Sequence, residues 1–96
     1  MDLSLAKTIA QRWLEDHAPA DTRFVICDQF TRERPFGWVF CYQSEQYLKT
    51  KDPKYLLAGN APLIVDRADG SVHVTGTART LDEYIAEYEK KRVVKR

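Results

Sequence analysis

The sequence is poor in the residue patterns that announce chemistry. It has two cysteines and two histidines, with no Cys-x-x-Cys and no Cys/His cluster, so nothing has the spacing of a metal site. Glycine is scarce at four residues, and neither GxxxxGK[ST] nor GxGxxG occurs, which removes the loops that cradle nucleotide phosphates. No apolar run approaches the roughly 20 residues of a membrane helix. The opening MDLSLAKTIAQRW also lacks the uninterrupted apolar stretch of a signal peptide. A cytoplasmic protein with no membrane partner is the expectation. An excess of one charge is missing too: 15 Lys and Arg against 14 Asp and Glu leave a formal charge of +1. No whole-molecule field draws in nucleic acid, so none is expected as a partner.

What is present describes a globular domain. The chain has 96 residues, 44% of them apolar and 30% charged, enough for one core and one domain over residues 1–96. SLAKTIAQRWLEDH places Leu5, Ala6, Ile9, Ala10, Trp13 and Leu14 at helical spacing before Pro19 stops the run. RFVICDQFTRERPFGWVFCYQS reads as two strands joined near Glu33, Arg34 and Pro35. EQYLKTKDPKYLLAGNAP is an irregular connection with room for a turn or two of helix around Tyr55 to Leu57. In its AGNAP break, Gly59 and Asn60 tolerate left-handed backbone and Pro62 aims the next strand. LIVDRADGSVHVTG is a second hairpin turning at Asp69-Gly70. Thr80 and Glu83 form a capping-box pattern ahead of a helix whose Leu81, Tyr84, Ile85 and Tyr88 share a face. The order α-β-β-β-β-α predicts an α+β fold: a four-stranded antiparallel sheet of two hairpins with an N-terminal and a C-terminal helix, in two layers.

The second strand is apolar on both sides. Phe36, Trp38, Phe40 and Tyr42 fall on one face and Val39 and Cys41 on the other. Either the two helices divide between the faces, or a partner or second copy, as in a homodimer, covers one of them. Cys27 and Cys41 lie across from each other in the first hairpin, so a disulfide is conceivable, although buried free thiols suit a reducing compartment better. His17 and His73 have no Cys, Ser or carboxylate neighbour at triad spacing, and the carboxylates Asp82, Glu83, Glu87 and Glu89 read as a solvated helix face. YLKTKDPKY mixes Tyr47 and Tyr55 with three lysines, but Asp52 and Glu45 dilute the charge. Tyrosines offered to a protein are the alternative to stacked bases.

Three stretches carry a resemblance: FGWVFCYQS (36–44), YLLAGNAPLIVDRADGSVHVTGTA (55–78) and LDEYIAEYE (81–89). With the N-terminal helix they resemble the YrhB-like domain, or immunity protein 35 family, of bacteria. The matching positions are Gly37, Trp38, Phe40 and Tyr42, then Ala58, Gly59, Asn60, Pro62 and Asp66, then Thr75, Gly76 and Thr77; Cys41 stands where another large apolar residue would be expected. The resemblance implies a cytosolic, non-enzymatic protein without cofactor or metal, which binds a cognate protein toxin encoded by a neighbouring gene. Partner contacts would then come from Trp38, Tyr42, Tyr47 and Tyr55, with Asn60 and Thr77 on the rim. The alternative is a heat-stable, chaperone-like holdase using an exposed apolar sheet face. A hydrolase or nuclease would need a pocket joining His17 or His73 to a carboxylate or thiol.

Overall fold

A computed structural model describes residues 1–19, 21–55 and 61–94, apart from the side chains of Tyr55 and residues 92–94. Helix α1 (Leu3–His17) opens on Asp2, whose carboxylate accepts from the Leu5 N–H at 2.9 Å, and closes at Ala18, held extended ahead of Pro19. The first hairpin follows as expected, but each arm is broken. The ascending arm is β1 (Phe24–Ile26), a 3-10 turn at Asp28–Phe30, then β2 (Arg32–Arg34). The descending arm is β3 (Gly37–Phe40) and β4 (Tyr42–Ser44). Ile26 pairs with Tyr42 and Arg32 with Val39, so residues 27–31 of one arm face only 40–41 of the other, and the 3-10 turn takes up the excess. The second hairpin is β5 (Leu63–Asp66) and β6 (Val72–Val74), and α3 (Leu81–Val94) ends the chain.

The expected α+β class, with helices at both ends and antiparallel hairpins, is what forms. The four-stranded antiparallel sheet forms as well, and a smaller sheet stands beside it. There are two sheets, β1-β4 and β2-β3-β5-β6, because the three-residue excursion lets the hairpin's outer half leave the plane of its inner half. The connection holds a helix earlier than expected: α2 (Glu45–Thr50), started by Ser44, whose hydroxyl accepts from the Tyr47 N–H at 3.1 Å, and ended by Lys51 at φ 58°. Tyr55 belongs to a 3-10 turn, Pro53–Tyr55, while Leu57 and the AGN of the AGNAP break lie outside the described residues.

The two apolar faces of β3 are explained internally. Trp38 and Phe40, with Leu63 and Val65 of β5, pack against Ala6, Ala10 and Leu14 of α1. Val39 and Ile64 point the other way, against Ile85, Leu81 and Tyr88 of α3. The helices therefore take opposite faces and make three layers rather than two. Neither face of β3 or β5 is an open apolar surface, so the exposed sheet face that the holdase reading required is absent from these strands. Each fully buried Leu, Val or Phe on this sheet contributes about 1.5–3 kcal/mol. Phe36 departs from the expected alternation and joins the α3 side, because it belongs to the turn before β3.

That turn depends on Gly37. Its φ is +150°, and a Cβ there would run into the backbone carbonyl of Val65 on the paired strand. Cys27 and Cys41 do face each other, the Cys27 N–H donating to the Cys41 carbonyl at 2.9 Å, and both are free thiols whose pKa burial pushes up. Gly37→Ala should cost about 3 kcal/mol, seen as a lower urea midpoint at unchanged slope. Gly76→Ala should cost less, since its obstacle is the movable ring of Tyr84 rather than backbone.

Candidate partner-binding surface

Of the sequence-derived contact residues that are described, Trp38 stands apart from the others. Trp38 is the correction among them: it is 3% exposed, in the α1-side core, with the Arg67 guanidinium 4.5 Å above its ring, so no ring face is left for a partner. Tyr42 is half-buried against Phe24, ring centroids 5.4 Å apart, and burial pushes its phenol pKa up. Tyr47, on α2, is half-buried with the Lys51 ammonium 5.7 Å from its ring. Thr77 is exposed ahead of α3. The Tyr55 side chain and Asn60 lie outside the described residues. Leu63 pairs with Phe40 on one side and Val74 on the other, so β4 and Thr77 leave the sheet at the same end.

A concavity that joins distant elements lies elsewhere in the sequence. A cleft of about 180 Å³ lies between β6 and α3, lined by His73, Val74, Thr75, Tyr84, Glu87 and Lys91, with Ile64 and Tyr88 completing its wall. Hydrogen bonds hold it across elements far apart in the chain. The Tyr88 hydroxyl donates to Asp66 at 2.6 Å, and the same buried carboxylate accepts from the Ala68 N–H at 2.9 Å, tying α3 to the turn after β5. His73 points away from Val72 and Val74, as alternation demands. It lies 5.0 Å from the Tyr88 ring, with Nε2 2.7 Å from Ser71 Oγ. Thr80 caps α3, its hydroxyl accepting from the Glu83 N–H at 3.2 Å. Tyr84 lies over Gly76 and accepts from the Ala78 N–H at 3.2 Å.

The charges at the cleft are paired. Glu87 bonds Arg79 and also Lys91, 3.1 Å away, while Arg79 stacks on Tyr84 at 4.8 Å. Hydrogen bonds from Arg79 first, then Lys91, hold the Glu87 carboxyl below the usual glutamate range. It is a fixed anion at neutral pH, poorly suited to exchanging protons with His73. Ser71 and His73 stand at the distance of a nucleophile and its base. Among the described residues, however, no carboxylate hydrogen-bonds the other ring nitrogen, the third part of a triad. His17, the other histidine, stacks on Trp13 at 3.9 Å at the end of α1.

Sequence reasoning saw these α3 carboxylates only as a solvated face. The i,i+4 spacing of Glu87 and Lys91 was visible, but Arg79 and Asp66 reach them or their neighbours only through the fold.

A family model described as immunity protein 35 matches residues 4–89, a span that contains both hairpins and nearly all of the cleft. The chain belongs to the immunity protein 35 family. Among curated proteins, this family member is similar to "Uncharacterized protein YrhB" of Escherichia coli (strain K12), 46% identical over 56 residues; the match spans 58% of this chain and 60% of that protein. No solved structure matches. Among the described residues no helix is long and apolar enough to cross a membrane.

Two outcomes follow for the cleft of this immunity protein 35 chain. Tyr88→Phe removes a donor from a buried carboxylate and should cost about 1–3 kcal/mol in chemical unfolding. In an NMR titration the Glu87 carboxyl should show a midpoint below that of ordinary glutamate, returning upward in Arg79→Ala. Because the folded value is depressed, its contribution to stability is present at neutral pH and is lost as pH falls through that value.

Proposed function

We propose that this chain is an immunity protein that neutralises a cognate protein toxin by stoichiometric binding in the cytoplasm. The family match over residues 4–89 carries the reading. The mechanism is occlusion: a preformed surface docks over the toxin's working cleft and buries on the order of 1,600 Å² in total. Such a surface needs rigid aromatic anchors and polar groups already in place, so that little ordering entropy is spent on binding. Tyr42 and Tyr47 supply anchors and Thr77 supplies rim hydrogen bonds, at one end of the molecule. The cleft beside β6 adds charged and phenolic groups held by their own partners. With a net charge of +1, the partner is a protein rather than a nucleic acid.

The toxin is the product of a neighbouring gene in this reading. Co-expression should rescue growth from that toxin and yield a complex of one copy of each chain by light scattering. Tyr47→Ala should weaken the complex roughly tenfold or more. Protection at substoichiometric amounts, or general suppression of aggregation of unrelated proteins with no stable complex, would sink the proposal.

A further inference from the structure

The chain has two cysteines, and the fold sets them opposite each other. In the small sheet Val25 pairs with Gln43 and Ile26 with Tyr42, so one further step of the same register brings Cys27 to Cys41. The Cys27 N–H donates to the Cys41 carbonyl at 2.9 Å, and at the other end of the ladder the Glu45 N–H donates to the Arg23 carbonyl at 2.8 Å. Bonds of an antiparallel ladder recur at every second pair, which makes Cys27 and Cys41 a hydrogen-bonded pair. Residues paired in this way carry their side chains on one face, with Cα atoms about 5.5 Å apart, inside the roughly 4.4–6.8 Å that a disulfide spans. Ile26 and Tyr42 pack toward α1, so alternation turns the two thiols to the other face. Both are half-buried, within reach of a small solute.

Two features separate this pair from a permanent staple. Paired Cβ atoms lie about 5 Å apart, farther than the ~4 Å of a relaxed disulfide, so closing the bond draws the strands together. The backbone here can give. Neither cysteine is in a strand, the ladder stops at this pair, and the Cys27 carbonyl accepts from the Phe30 N–H at 3.0 Å, at the start of the 3-10 excursion. A bond closed under such tension is reduced more readily than a relaxed one. Burial also holds both thiols above the usual cysteine pKa, so the resting pair is the protonated, reduced one.

We propose that Cys27 and Cys41 are a thiol–disulfide modification site: a low-molecular-weight disulfide of the glutathione class oxidises them to one reversible intramolecular bond, which fastens the outer sheet to the inner one at the excursion. One cysteine thiolate attacks a sulfur of glutathione disulfide, forming a mixed disulfide as one glutathione thiolate leaves. The other cysteine thiolate then attacks the protein sulfur of that mixed disulfide and displaces the second glutathione. Two electrons pass from the cysteines to glutathione disulfide, and the two thiol protons end on the two glutathiones released. The new bond closes residues 28–40 into a loop that holds the excursion, β2 and β3. Local opening of the excursion is then restrained at both of its ends, by the bond at Cys27 and by the β2–β3 ladder. The assignment stands independently of the toxin reading.

The test incubates the full chain with glutathione disulfide and reads its intact mass after alkylation of the remaining thiols. The product should be a monomer lighter by two hydrogens and closed to alkylation, with a proteolytic fragment that joins Cys27 to Cys41. Reduced glutathione in excess should reopen it. Amide exchange at residues 28–31 should slow roughly tenfold or more in the oxidised form. Cys27→Ser and Cys41→Ser, each treated in the same way, should stop at a single glutathione adduct, with exchange at 28–31 at the rate of the untreated variant. In the unaltered chain, an end product that is a glutathione adduct or a covalent dimer overturns the proposal. So do thiols that stay open to alkylation, a bond that excess reduced glutathione does not reopen, and oxidation that leaves exchange at 28–31 as it was.

Discussion

Gly37 begins β3 without a side chain, and the backbone of Val65 occupies the space a Cβ would need. That approach sets the register of β3 on β5, and the register sorts the whole core. With Trp38 opposite Val65 and Phe40 opposite Leu63, four large side chains point toward α1, while Val39 and Ile64 point toward α3. A slip of one residue would send each set to the wrong helix. Both cores are built on the same strand pair, β3 and β5.

Local patterns were legible in the sequence wherever one element decided its own structure. The helical spacing from Leu5 to Leu14, the Asp69-Gly70 turn and the Thr80 cap each appear in the fold as read. The strand with two apolar faces was also visible, and so was the solution in which the helices divide between them. The excursion at Asp28–Phe30 was hidden, because DQF has no Gly or Pro to mark it and the flanking residues favour strand. Phe36 escapes the period-2 count for a related reason: it sits in the turn and not in the strand. Helix α2 left a trace in Ser44 and Glu45, but six residues are too few to show a period.

The candidate site was the least legible part, since its members come from β5, β6, the loop before α3 and α3 itself. Aromatic content pointed to Trp38, yet a tryptophan on a central strand was drawn into the core and roofed by Arg67. The groups that do line a concavity are modest ones, a histidine, two tyrosines and an ion-paired glutamate. The anion is neutralised twice over, and the phenols are engaged with Asp66 and Ala78. Such groups give the cleft shape and fixed polarity.

The excursion between β1 and β2 also bears on how this architecture can vary. In an uninterrupted ladder, inserting one residue inverts every side chain beyond it. Here the surplus is already looped out at Asp28–Phe30, in water, with Lys7 tethering Asp28 at 2.7 Å. Kin of this protein could gain or lose residues at that point and re-aim the small outer sheet, with its Tyr42 and the following α2, while the inner strands kept their alignment. The fold thus separates a part free to vary from a part that must stay as it is.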